Sequence, residues 1–287
     1  MEEIKKGRKF VSKCSRIRPI KKYPVCIPKI IMQTWKTKEV PEKWKTSPLS
    51  IQEIMPDWQY VLMTDDDNRN FVKKYFPDFL PYYDAFPYGI QRADAIRYMW
   101  LYIHGGIYMD LDFEVQADLS PLFQSGDIFL VKSGNVGSYF TNSFMASKPR
   151  MKFWLEMIER MKDELPWYCK IGRHFEIMES SGPLALSDAV GKTKQTITII
   201  PKKLVMPCSV CNINCVSCEA YLKPLEGSSW ISYDTMFYNF WLCNWKTVIA
   251  FLICILVLVL LFYILKYIGV HNESVWPIHK CLSVICN

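Results

Sequence analysis

The stretch from Gly89 to Asp112 constrains this chain more than any other, because it reads as helix, stop, strand and two carboxylates with nothing between them. Ile96, Trp100 and Ile103 follow the i, i+4, i+7 spacing of a buried helical stripe. Asp94 and Arg97 stand three residues apart on another face of the same helix, where side chains meet. Gly105-Gly106 ends the helix, since glycine alone reaches positive φ cheaply. Ile107 to Met109 then suits a buried strand, and Asp110 and Asp112 follow at once.

In extended chain, residues i and i+2 point the same way. Asp110 and Asp112 therefore stand side by side as like charges, which repel unless a cation sits between them. Oxygen-only ligands suit Mn²⁺ or Mg²⁺, which keep waters and bind substrate phosphates. The chemical expectation is a divalent metal that holds a diphosphate. The plain alternative is two aspartates capping a turn. The adjoining helix with Asp94 and Arg97, and the double glycine, favour the metal.

Arg92-Ala93-Asp94-Ala95-Ile96-Arg97-Tyr98 followed by Gly105-Gly106-Ile107-Tyr108-Met109-Asp110-Leu111-Asp112 resembles the core of the D-x-D sugar transferases of the GT-A type. That family includes the yeast initiating α-1,6-mannosyltransferase and the inositol phosphorylceramide mannosyltransferases. Ile27 to Trp35 resembles its first strand, Ser181-Gly182-Pro183-Leu184 a loop of its second half, and Gly227-Ser228-Ser229-Trp230 its C-terminal signature. Order and spacing match from about Ile27 to Trp230. Lys36-Thr37, Val40 to Trp44 and the Gly-Ser-Ser-Trp ending are most similar to the inositol phosphorylceramide mannosyltransferases.

The resemblance implies an α/β, Rossmann-like GT-A domain that moves mannose from GDP-mannose to a membrane glycolipid such as inositol phosphorylceramide, with retention of configuration. It implies that Asp110 and Asp112 hold the metal, that Asp94 and Arg97 contact donor sugar and phosphates, and that Ser229 and Trp230 close over the diphosphate beside Ser228. Trp35 either stacks on the nucleobase or packs in the core. Many relatives carry a further metal-binding histidine near the C-terminal signature, where this chain has Glu226 as a possible substitute. Met32 departs from the family as well, standing where relatives often have histidine. His104 is expected to pack, and Asn142 to face the acceptor if it has a role.

The net charge of +7 over 287 residues is deceptive, because residues 1–22 hold nine Lys or Arg against two Glu. The remainder is close to neutral, so no nucleic-acid partner is expected. Residues 1–26 read as a basic arm, either solvated or drawn to anionic lipid, with no apolar secretory signal. Half the residues are hydrophobic, enough for a sizeable core. Four of the 11 cysteines, Cys208, Cys211, Cys215 and Cys218, form two C-x-x-C pairs. Structural Zn²⁺, paired disulfides and free thiols all fit, although the three-residue gap between the pairs is tight for zinc.

The domain plan is an arm at 1–26, a catalytic domain at 27–245 with a Cys-rich insertion at 207–219, a membrane helix at 246–269 and a tail at 270–287. Within the catalytic domain the pattern predicts strands at Ile30–Met32, Gln59–Thr64, Ile128–Val131, Phe144–Ala146 and Thr196–Ile200. Helices are predicted from Ser47 to Pro56, after Asp65-Asp66-Asp67, around Asp78–Pro87 and from Arg150 to Leu165. The three aspartates read as a helix N-terminus rather than a second metal site.

Val248 to Leu265 is 18 residues without a charge, long enough to cross a bilayer. Trp245, Lys246, Lys266 and Tyr267 stand where interfacial anchors belong. A single-pass membrane protein is expected, and the resemblance implies the ER or Golgi. The inositol phosphorylceramide mannosyltransferases act in the Golgi lumen behind an N-terminal membrane segment. The C-terminal span here resembles a tail anchor instead, which would leave the catalytic domain on the cytosolic face. Beside the transferase stand other classes: a transferase with another nucleotide sugar and a glycan or protein acceptor, a lectin-like or scaffolding protein without turnover, and a metal-dependent hydrolase of nucleotide sugars.

Overall fold

The computed structural model describes residues 25–133, 139–208, 211, 219–227 and 231–275. They fall into two compact units that divide between Met236 and Phe237. In the first, six strands form one mixed sheet in the order β2-β1-β3-β6-β5-β7. These are β1 Ile30–Thr34, β2 Gln59–Met63, β3 Gly106–Met109, β5 Ile128–Lys132, β6 Phe140–Ser147 and β7 Thr198–Ile200. A second, two-stranded sheet pairs β4 Phe113–Val115 with β8 Leu222–Pro224.

Period-two alternation sorts the strand residues between two cores. Met32, Tyr108, Leu130 and Met145 enter one, while Ile31, Ile107, Phe129 and Phe144 enter the other. Both faces of the sheet are therefore covered, as near-continuous apolar strands require. The first core is closed by α2 Asp65–Tyr75, α4 Gly89–Ile103, α5 Lys152–Arg160 and α7 Pro183–Lys192. The second takes Ile51 of α1 Thr46–Ile54 and Val205 of α8 Lys202–Val205. The α/β expectation is met.

The expected elements are present, and their bounds shift for identifiable reasons. The helix predicted from Arg150 begins at Lys152, because Arg150 has φ +63° and gives its N–H to Tyr102 O at 2.7 Å. β6 is longer than its apolar stretch, since Thr141 and Asn142 join it as buried polar residues. The three aspartates do open a helix: Thr64 Oγ1 accepts the Asp67 N–H at 3.2 Å and Asp67 Oδ2 accepts the Thr64 N–H at 3.0 Å. α4 has more than one buried face, because Gln91, Asp94, Arg97 and Tyr98 are covered along with Ile96 and Trp100. α3 Leu80–Ala85 is the short helix expected within Asp78–Pro87, whereas α6 Arg173–Ser180 and α7 carried no signal and were not expected.

Gly105 and Gly106, at φ +68° and +82°, turn α4 into β3. A Cβ on Gly105 would stand 2.7 Å from both Ser147 O and Pro149 N, and one on Gly106 would overlap the Ile30 carbonyl. Glycine is thus required twice over, by backbone angle and by space.

The second unit is built on one helix, α9 Tyr233–Val275, whose first turn belongs to the first unit. At 1.5 Å per residue, 43 residues reach about 65 Å, roughly twice a bilayer's hydrocarbon thickness. Its stretch Tyr233–Ile268 is long and apolar enough to cross a membrane, and Phe251 to Ile268 are exposed throughout.

Cys208, Cys211 and Cys243 are each disulfide-bonded. A sulfur in a disulfide is no thiolate, so the zinc expectation fails for Cys208 and Cys211. Cys215 and Cys218 lie outside the described residues, as do Ser228, Ser229, Trp230 and the basic arm up to Pro24.

Candidate active site

β1 and β3 run parallel, so their carboxyl ends share one edge of the sheet. β6 runs against β3 and brings its first residues to that edge. Ligands of α/β sheets bind at such an edge. A cavity of about 260 Å³ opens there. One wall carries Trp35 and Lys36 after β1, Trp44, and Asp65 at the start of α2. Asp94 and Arg97 of α4, the Asp110–Asp112 turn and Asn142 form the floor region, and Arg173, Ile177 and Met178 of α6 another wall.

The backbone of the turn after β3 is held on three sides, twice by other backbone and once by a side chain. Asp110 N–H donates to Ser143 O at 2.8 Å, Gln33 Nε2 donates to Asp110 O at 3.1 Å, and Leu225 N–H donates to Asp112 O at 2.7 Å. The last bond explains the small second sheet: β4 and β8 carry the start of the C-terminal segment to the D-x-D turn.

Arg97 is the electrostatic hub. Its Nη2 lies 3.0 Å from Asp94 Oδ1, its Nη1 lies 3.2 Å from Asp110 Oδ1 and donates to Asn142 O at 2.8 Å, and its Cζ lies over the Tyr108 ring, 4.5 Å from the ring centre. Burial works against the Arg97 charge, and Asp110, Tyr108 and Asp94 more than offset it, so its pKa rises. Asp94 is saturated. Asn142 Nδ2 donates to Oδ1 at 3.0 Å and Ser181 Oγ to Oδ2 at 2.9 Å, while Tyr98 OH accepts from Asn142 and donates to Ser181 O at 2.7 Å. Burial pushes Asp94 up to about 7 against the pull of Arg97.

Asp110 Oδ1 accepts from Tyr108 OH at 2.5 Å. Asp112 differs: its Oδ1 is buried with no hydrogen-bond partner among the described residues. Burial first, and Asp110 second, push Asp112 up to about 7. An orphaned carboxylate oxygen beside a second carboxylate is a poor arrangement without a cation and a good one with it. The residues therefore fit a hard divalent metal. Among the described residues no group of three His, Cys, Asp or Glu gathers. Glu226 does not supply a third ligand: its side chain is exposed and its backbone oxygen accepts from Trp44 Nε1 at 3.1 Å. Two carboxylates leave the remaining positions for water and phosphate, the usual arrangement for Mg²⁺.

The candidate residues Trp35, Asp94, Arg97, Asp110 and Asp112 thus meet in one cavity. Trp35 is half-buried at its mouth, edge-on to Trp44 at 5.2 Å, and is not a core residue. Met32 is wholly buried, and His104 packs among Trp100, Phe71 and Tyr75. Asn142 is buried and turned to Asp94. Sequence reasoning did not single out Tyr98, Tyr108 or Arg173, and gave Asp65 only a helix-capping role. Ser181 lay in a recognised loop. Tyr98 and Tyr108 lay inside the quoted motif, and Arg173 had no signal at all.

Comparison with known proteins agrees with this geometry. The family described as "Glycosyltransferase sugar-binding region containing DXD motif" matches residues 41–128. Inositol phosphoceramide mannosyltransferase 2 of Schizosaccharomyces pombe is 36% identical over 213 residues, 72% of this chain and 59% of that one. Inositol phosphoceramide mannosyltransferase 3 of the same yeast is 35% identical over 249 residues, 84% of this chain and 67% of that one. The chain thus spans between about three fifths and two thirds of these relatives' lengths. Among solved structures, PaToxG glycosyltransferase matches with a TM-score of 0.45 and 19% identity over 65% of this chain and 76% of that one, too distant to build on. The D-x-D turn at the end of β3, the matched region around it and the two yeast relatives place the chain in the family of D-x-D glycosyltransferases that contains the inositol phosphoceramide mannosyltransferases.

Proposed function

We propose that this chain is a metal-dependent, membrane-anchored mannosyltransferase that uses GDP-mannose and glycosylates a phosphoinositol sphingolipid. The observation that carries this reading is the Asp110–Asp112 turn with its unpartnered buried oxygen, set in a cavity beside Asp94 and Arg97. A divalent metal bound there would neutralise charge on the departing nucleoside diphosphate. Arg97 keeps Asp110 placed and opposes the burial that raises its pKa. Asp94, fixed by Asn142 and Ser181, offers little further hydrogen-bonding freedom and so presents a rigid edge to the donor sugar. Trp35 offers a ring face for the base. Asp65 on the same wall offers a carboxylate, which suits the two adjacent donors of guanine better than uracil's single one. Ser229 and Trp230 are proposed to close over the diphosphate, and retention follows the family.

The relatives' names supply the sphingolipid acceptor, and the apolar helix supports it, because an anchor raises the local concentration of a lipid substrate. The test is to incubate the full chain with each nucleotide sugar, with and without lipid extract. Release of nucleotide only when lipid is present supports transfer. Equal release without lipid marks a hydrolase, and no release marks a binding protein. We place the catalytic unit in the secretory lumen, because disulfides at Cys208 and Cys211 persist in oxidising compartments. That weighs against the cytosolic face suggested by the C-terminal span. Protease added outside sealed vesicles should spare the catalytic unit, and digestion would return it to the cytosol.

A further inference from the structure

We propose that Arg173 grips the anionic phosphodiester of the lipid acceptor, and that the α6 wall is the acceptor end of the cavity. This rests on the reading that the acceptor is a phosphate-bearing membrane lipid. Arg173 differs from the cavity's other guanidinium. Arg97 is committed to Asp94 and Asp110. Among the described residues no carboxylate pairs with Arg173. Its guanidinium lies 4.9 Å from the Tyr88 ring, and its Nε is buried with no hydrogen-bond partner. A buried donor left unmet costs free energy that an incoming acceptor atom restores, and a planar guanidinium matches the oxygens of a phosphate.

Its neighbours tie this wall to the membrane. His174 N–H donates to Asp234 Oδ2 at 2.7 Å, and a Cβ on Gly172 would stand 2.8 Å from the same oxygen. Asp234 lies in the first turn of α9, so the peptide that leads into the lipid-spanning segment is fastened to His174, next to Arg173, and packs close against Gly172. Around that fastening the surface is apolar and uncovered: Trp167 is 76% exposed, Ile171 71%, and Tyr233 92%. Trp and Tyr flanked by aliphatic residues favour the membrane–water interface. A lipid headgroup that enters the cavity beside α6 meets Arg173 there.

The test uses the full chain in mixed micelles with GDP-mannose and Mn²⁺, comparing Arg173→Gln and Arg173→Lys with wild type. The acceptors are phosphoinositol ceramide and a ceramide glycolipid without phosphate. Arg173→Gln should raise KM for the phosphoinositol lipid about tenfold or more. KM for GDP-mannose should move less than twofold, and Arg173→Lys should recover part of the loss. The selectivity for the phosphate-bearing lipid over the neutral one should shrink to match. An unchanged acceptor KM, or a donor KM that rises as much as the acceptor's, overturns the proposal. If wild type glycosylates only the neutral lipid, the phosphosphingolipid reading falls and takes this one with it. If wild type uses the phosphoinositol lipid and Arg173→Gln uses it with the same KM, this proposal alone falls.

Discussion

Two aspartates 18 residues apart line the same cavity and live under opposite conditions. Asp94 is enclosed by Arg97, Asn142 and Ser181, each of which spends a donor on it. Asp112 has a buried oxygen that nothing in the described structure meets. Burial raises both carboxyls to about 7, yet the causes that oppose it differ. For Asp94 they are neighbouring donors; for Asp112 the next largest influence is a second carboxylate, which raises it further. One aspartate is part of the scaffold, and the other is left incomplete by the scaffold. A site that must be rigid and must also take up a cation needs both kinds.

The largest expected effect comes from breaking the saturated side. Asp94→Ala leaves Arg97 short of a buried partner and strands Asn142 and Ser181. Loss of one member of a buried pair typically costs about 3 kcal/mol or more. Chemical denaturation should show that loss, and the residual activity should still require metal. An unaltered unfolding midpoint would mean that the network is not structural.

Next comes the incomplete side. Asp112→Ala should lower sugar transfer about a hundredfold or more, near 2.7 kcal/mol in the transition state, while the protein stays folded. Chelator should abolish wild-type transfer, and Mn²⁺ or Mg²⁺ should restore it. Near-normal transfer by folded Asp112→Ala in chelator would remove this turn from the reaction.

The smallest effect separates the two aspartates most sharply. In chelator, Asp112→Asn should be more stable than wild type at pH 7. The sign follows from the raised pKa. A carboxyl that titrates near 7 in the fold and near 4 when unfolded penalises the folded state as pH rises between those values. The gain should therefore be absent at pH 4 and complete by about pH 7 to 8, as followed by melting temperature. A gain that is constant with pH would point to packing instead of charge.

Much of the site was legible in the order of residues. Asp94 with Arg97, and Asp110 with Asp112, are local pairs whose meeting depends only on helix and strand geometry. Gly105-Gly106 fixes the angle between their two elements. The partners that saturate Asp94 were not legible as a set. Asn142 and Ser181 lie 48 and 87 residues away along the chain and arrive on β6 and on the loop before α7. Arg173 is harder still, since a single arginine at the start of a short helix has no periodicity to mark it.

By itself, the sequence determined the helix–glycine–strand unit, the D-x-D turn, the alternation that buries both faces of the sheet, and an apolar helix long enough for a bilayer. Each depends on neighbours within a few residues, where backbone geometry leaves little choice. Only the tertiary structure decided that Glu226 faces solvent, that Cys208 and Cys211 are oxidised, that Asn142 serves Asp94, and that Arg173 shares a cavity with the D-x-D turn. These depend on contacts between distant segments, where burial and hydrogen bonding across the fold choose among partners that local chemistry leaves equivalent.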